Sequence, residues 1–141
     1  MDDYALVLNV DAAVVRGDDY LVVKRSSEEE HAAGTLSFPG RKVDSDALGD
    51  AIRETARRED HDEVGVETGV VEYVTGSPFT ANESTECLNV VVHCEYESGE
   101  PEVREPEEVA DVFWLGYDEL ADHKDVPEQV REYADAVEAS R

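Results

Sequence analysis

The chain has 141 residues, 40% of them hydrophobic, and carries 36 acidic against 12 basic side chains, for a formal charge of −24. That length suits one domain around one core, spanning residues 1–141, and a field of that sign repels nucleic acid and anionic membrane surfaces, so neither is expected as a partner. The acids run along the whole chain rather than forming a tail, which argues against a disordered segment, and the opening MDDYALVLNV lacks the basic flank and long apolar run of a signal peptide or membrane span.

In chain order, ALVLNVDAAVV (5–15) and YLVVKR (20–25) are apolar and β-branched, and RGDD between them supplies a turn glycine, so they read as a hairpin. SSEEEHAAG is a polar loop, and TLSFPG a short extended run ended by Pro-Gly. From Gly49 to Glu63 the chain lacks proline and reads as a helix, with Gly49-Asp50 as its candidate cap. GVVEYVTGSPF and CLNVVVHCEY are strands; in the second, Leu88, Val90, Val92, Cys94 and Tyr96 fall on one face. Cys87 and Cys94 sit on that one strand, too far apart for a mutual disulfide, and read as reduced and buried, which implies a cytoplasmic protein. The sequon Asn82-Glu83-Ser84 then carries no glycan. VFWL is a further strand, and Pro127 opens a last helix with Val130, Tyr133 and Val137 on its apolar face. The order ββ, helix, strands, helix points to an α/β fold, a mixed sheet covered by helices.

The stretch ARREDHDEVGV (56–66) carries the chemistry. On a helix Glu59, Asp62 and Glu63 stand at i, i+3 and i+4 and share one side. Carboxylates so close repel unless a cation lies between them, and a hard ion such as Mg²⁺ accepts oxygen ligands of this kind. Arg58, four residues before Asp62, is placed to hold that side chain. The histidines His31, His61, His93 and His123 lack metal-type spacing and read as surface or packing residues, and Trp114 reads as core. Asp44-Ser45-Asp46 with Gly49 mimics the start of a calcium loop, but Leu48 and Thr55 fall where oxygen ligands are required, which excludes it.

The same stretch resembles the signature of the Nudix hydrolases, G-x5-E-x7-R-E-U-x-E-E-x-G-U with U aliphatic. Arg58, Glu59, Glu63, Gly65 and Val66 match it, Asp62 replaces the first glutamate of the pair, and Asp50 stands at the earlier glutamate. Upstream, LSFPGRKV resembles the family's FPGGKV, and VADVFWLGYDEL resembles its late W-x-x-x-D-E-L segment. The chain departs from the pattern at Arg41, in place of a glycine, and at Asp60, in place of an inward-packing aliphatic residue. The resemblance implies an α/β/α sandwich with a mixed sheet between helices. It also implies hydrolysis of a pyrophosphate bond in a nucleoside diphosphate derivative with Mg²⁺ or Mn²⁺, a small-molecule nucleotide being the partner. By resemblance Arg58, Glu59 and Glu63 are catalytic; Glu59, Asp62, Glu63, the Gly40 carbonyl and Glu108 (favoured over Glu107) are metal ligands; Arg25 and Phe79 contact substrate. Because aspartate is shorter than glutamate, Asp62 is expected to act through a water or on a weaker second ion. The alternative is a non-catalytic nucleotide-binding or sensor domain on the same fold. The composition resembles that of salt-adapted, haloarchaeal-type members, and the sequence leaves room for a homodimer.

Overall fold

The computed structural model describes residues 6–27, 33–44, 50–81 and 84–141. His31, residues 45–49 with Gly49, and the Asn82-Glu83 part of the sequon lie outside them. β1 (Val7–Arg16) and β2 (Asp19–Arg25) form the expected hairpin, with Gly17 at φ 62° in its turn, a conformation a side chain would resist. The two strands pair only next to the turn, Val15 with Tyr20 and Arg16 with Asp19, and then splay apart. Into the fork comes β4 (Gly40–Lys42), which pairs with Asn9 to Asp11 of β1, while β3 (Leu36–Ser37) pairs with β2. This splay brings the FPGRK segment against the middle of β1.

β5 (Glu67–Ala81) and β6 (Thr85–Ser98) make a long antiparallel hairpin, and β6 runs parallel to β1 from Val7 to Val15. β7 (Val109–Gly116) pairs antiparallel with β2. The result is a mixed seven-stranded sheet with the path β3-β2-β1-β6-β5. α1 (Ala51–Val64) covers one face and α3 (Glu128–Ser140) the other, with the short α2 (Tyr117–Asp122) joining β7 to α3.

Strand alternation divides the core between these helices. Val10, Ala12 and Val14 of β1 pack with Val90, Val92 and Cys94 of β6 beneath Ala56 and Val64 of α1. Ala13, Val15 and Val91 turn the other way, beneath Val130, Tyr133 and Val137 of α3. Both cysteines are free and buried. The helix at 117–122 is not anticipated by the sequence reading; Glu119 turns back to accept from the Gly116 amide at 3.1 Å, and Leu120 is buried beneath it.

Candidate functional site

α1 is held at both ends. Asp50 accepts from the Arg53 amide, so it is the cap that the Gly49-Asp50 pattern offered. Arg53 Nε donates to the Val71 carbonyl at 2.7 Å and Arg57 to the Gly69 carbonyl at 3.2 Å, which seats the helix on β5. At the far end Gly65 takes φ 75°, left-handed, and its amide reaches the Asp60 and His61 carbonyls.

The connection from β6 to β7 crosses this C-terminal end and uses its unpaired carbonyls. Glu102 N donates to Val64 O at 2.9 Å, Arg104 N to Glu63 O at 3.1 Å, and Arg104 Nη1 to His61 O at 3.0 Å. The next residue, Glu105, is thereby delivered to the helix face. One ligand oxygen each from Glu59, Glu63 and Glu105 all lie within 4.8 Å of one another. Glu59 and Glu63 are buried, at 3% and 4% exposure, and Glu105 Oε1 is buried without a hydrogen-bond partner.

Burial pushes the Glu59 and Glu63 carboxyls above the ordinary carboxylate range, and the charges of Glu105 and Glu108 push the same way. A hydrogen bond between the pair favours the proton on Glu63 and the charge on Glu59, and the Arg41 guanidinium also lowers Glu59. Burial and the charge of Glu108 raise Glu105 too, with Arg41 opposing. The cluster is thus a set of desolvated acids short of positive charge.

The expected site residues fall into three groups. Glu59 and Glu63 converge as anticipated, but Asp62 does not join them. Its side chain is 43% exposed on the rim and pairs with Arg41 Nη1 at 3.3 Å. Arg58 does not hold Asp62, contrary to the spacing argument; its guanidinium goes back one turn to Glu54 at 3.0 Å and out to Asp44 at 3.8 Å. The loop carboxylate in the cluster is Glu105 rather than Glu108, whose side chain is exposed and acts on the pair through its charge. Gly40 lies opposite Asp11, where a Cβ would come within 2.3 Å of Asp11 Oδ1, so the position admits only glycine without a shift of that carboxylate. Arg25 ends β2, its charge felt by Asp11, and Phe79 is 39% exposed on β5. His61 pairs with Glu67 at 2.6 Å on the exposed side of the helix, and Trp114 packs on the core edge-to-face with Tyr96.

Residues 5–136 match the NUDIX domain. The chain belongs to the NUDIX domain family. Among solved structures, the Nudix chain resembles a MutT NUDIX hydrolase from Burkholderia pseudomallei at 23% identity and TM-score 0.79, covering 94% of this chain and 98% of that one. It also resembles the MutT protein of Methanosarcina mazei Go1 at 17% identity and TM-score 0.79, covering 99% and 98%. A third likeness is the NUDIX domain of Shewanella oneidensis NrtR, complexed with ADP ribose, at 15% identity and TM-score 0.77, covering 96% and 88%. No curated protein matches the sequence. At these identities the three structures speak for the Nudix fold alone.

The Nudix helix here carries an acid where an aliphatic residue belongs. Asp60 is fully buried, and neither of its oxygens reaches hydrogen-bond geometry; the Cys94 thiol and Thr68 hydroxyl face it, and Thr68 Oγ1 is itself without a partner. Burial drives its pKa well above the usual aspartate value. A carboxyl shifted upward in the folded state stabilises while protonated and loses that contribution as pH climbs above the unfolded value near ~4. Asp60→Val therefore stabilises the protein by about 1–3 kcal/mol at neutral pH, the scale of an unpaired buried polar group. The gain is smaller at pH 4.5, and urea unfolding at the two pH values measures it. A variant no more stable than the parent at pH 7 would mean that Cys94 and Thr68 satisfy the carboxyl.

Proposed function

We propose that this chain is a single-domain, divalent-metal-dependent pyrophosphohydrolase acting on a nucleoside diphosphate derivative, with Mg²⁺ or Mn²⁺ as its ion. The observation that carries the reading is the cluster of Glu59, Glu63 and Glu105 oxygens within 4.8 Å, built on the Nudix helix and the loop that crosses it. Opposite ligands of an octahedral Mg²⁺ stand ~4 Å apart, given metal–oxygen distances of ~2.0–2.1 Å. Oxygens within 4.8 Å of one another are compatible with that spacing, and the buried Glu105 Oε1, which has no hydrogen-bond partner, is an oxygen a cation would satisfy.

Glu59, Glu63 and Glu105 would hold the ion, with the Gly40 carbonyl beside β1 and Asp62 and Glu108 at the rim as further oxygens. When bound, the ion supplies charge neutralisation of the phosphate oxygens and a more acidic water. Glu59 and Glu63 are also the carboxylates this reading makes catalytic: burial raises both in the metal-free protein, and the ion would offset that cost of gathering their charges. Arg58 ties α1 to the Asp44 side of the loop. Arg25 supplies positive charge for the phosphates, and Phe79 an exposed ring for the base. The NrtR domain's ADP ribose supports a nucleotide as ligand.

A second reading, a nucleotide sensor without turnover, is favoured by Arg41, whose guanidinium occupies the carboxylate side of the site. A panel of nucleoside diphosphate derivatives assayed with Mg²⁺ or Mn²⁺ separates the two. Metal-dependent release of phosphorylated products supports the hydrolase, and saturable nucleotide binding without products supports the sensor.

The charge of −24 also supports a salt-adapted, cytoplasmic protein of haloarchaeal type. Among the described residues no helix is long and apolar enough to cross a membrane. Self-repulsion strains the compact state until salt screens it, the Debye length falling to ~3 Å at 1 M. The melting temperature accordingly rises between 0.1 and 3 M KCl. A flat or falling curve in a thermal scan would remove the salt-adapted reading. Sedimentation at the same salt tests the homodimer.

A further inference from the structure

Arg41 is the departure with most to say about how the site works. The β1/β2 splay places it on β4 beside Val10, and its guanidinium reaches over α1 to Glu59 Oε1 at 3.5 Å and to Asp62 Oδ2 at 3.3 Å. Both distances are longer than the ~2.7–2.9 Å of a firm charge-assisted pair. The guanidinium offers one nitrogen to each carboxylate, Nε to Glu59 and Nη1 to Asp62, so neither pair is the two-point Arg–carboxylate fork. Arg41 keeps 27% of its side chain exposed, whereas Glu59 is 3% exposed and fixed in the core of the helix face. If this pair parts, the arginine moves and the glutamate stays.

Resting on the metal-site reading above, we propose that Arg41 is an exchangeable counter-ion of the carboxylate cluster. It partly neutralises Glu59 and Asp62 in the metal-free protein and yields those oxygens to the divalent ion. The freed guanidinium, whose donors match phosphate geometry, then binds the phosphate oxygens of the substrate. Metal and phosphate binding are coupled through one side chain, because a phosphate that holds Arg41 removes the metal's competitor and the metal releases Arg41 to the phosphate.

Three measurements on the full chain in molar KCl test this. Calorimetry with Mn²⁺ alone gives an affinity at least ~10-fold tighter for Arg41→Gln than for the unaltered protein, the scale expected when a unit charge in contact is removed. Lys42→Gln, which deletes the same charge one residue away on an exposed side chain, changes it less than ~3-fold. With Mg²⁺ present, inorganic phosphate binds Arg41→Gln at least ~10-fold more weakly. In the unaltered protein the Arg41 Nε–H resonance shifts on adding Mg²⁺, a change that needs no variant to fold. Equal effects of Arg41→Gln and Lys42→Gln, an unchanged Mn²⁺ affinity, or a resonance unmoved by Mg²⁺ would overturn the counter-ion role while leaving the metal site standing. Mn²⁺ binding that is absent, or indifferent to Glu63→Gln, would overturn the metal-site reading and this inference with it.

Discussion

Glu63→Gln lowers kcat by ~10²-fold or more, the cost of losing a key electrostatic group at a reacting centre, and leaves the fold intact. Glu63 is 4% exposed and shares a hydrogen bond with Glu59 across one helical turn. Glutamine preserves the shape and can still donate to Glu59, so the metal-free helix loses little. What it cannot do is add negative charge when the cluster gathers around a cation. The unfolding midpoint without metal should match or exceed that of the parent, because burial of the ionised pair costs stability. The stabilisation that Mg²⁺ confers should shrink. Steady-state kinetics and thermal unfolding with and without Mg²⁺ check both halves, and near-parental turnover would remove Glu63 from the mechanism.

Glu105→Gln costs turnover ~10²-fold, whereas Glu108→Gln costs less than ~10-fold. Glu105 contributes an oxygen within 4.8 Å of those of Glu59 and Glu63, and its Oε1 is buried with no protein partner. Glu108 is exposed; its amide donates to the Glu105 carbonyl at 2.9 Å and its own carbonyl accepts from Ser26 N at 2.9 Å, so its fixed part is backbone. Glu108→Gln removes only a nearby charge. Titration of kcat against Mg²⁺ separates the two, since Glu105→Gln also raises the half-maximal concentration. If Glu108→Gln is the more damaging change, the loop rearranges around the ion and Glu108 is the ligand.

The sequence showed the fold wherever a local period decided it. The alternation in β6 put Val90, Val92 and Cys94 on one face, and the proline-free run after Gly49 located α1. The Glu59–Glu63 pair was legible for the same reason, since i and i+4 on a helix can only be neighbours. What escaped the reading depended on chain segments meeting from far apart. Arg58 and Asp62 stand at the right spacing for each other, but β4 brings Arg41 to Asp62 and leaves Arg58 to Glu54. Among Glu102, Glu105, Glu107 and Glu108, nothing local ranks the candidates. The choice of Glu105 is made by Arg104, whose amide and guanidinium dock on the last carbonyls of α1. An arginine just before the glutamate is the one trace of that in the sequence. Asp60 was visible as an anomaly, because the signature it resembles has an inward-packing aliphatic residue there, and the side chain is indeed buried.

The proposed role of the α1 acids and Glu105 is pyrophosphate cleavage. Its most direct test follows the products of a nucleoside diphosphate panel in molar KCl, with Mg²⁺ and then with the ion chelated, for the unaltered chain and Glu63→Gln in parallel. The account predicts cleavage of at least one derivative into two phosphorylated products, abolished by chelation, restored by adding the ion back, and reduced ~10²-fold or more in Glu63→Gln. Cleavage that survives chelation, or that proceeds equally in Glu63→Gln, would contradict it.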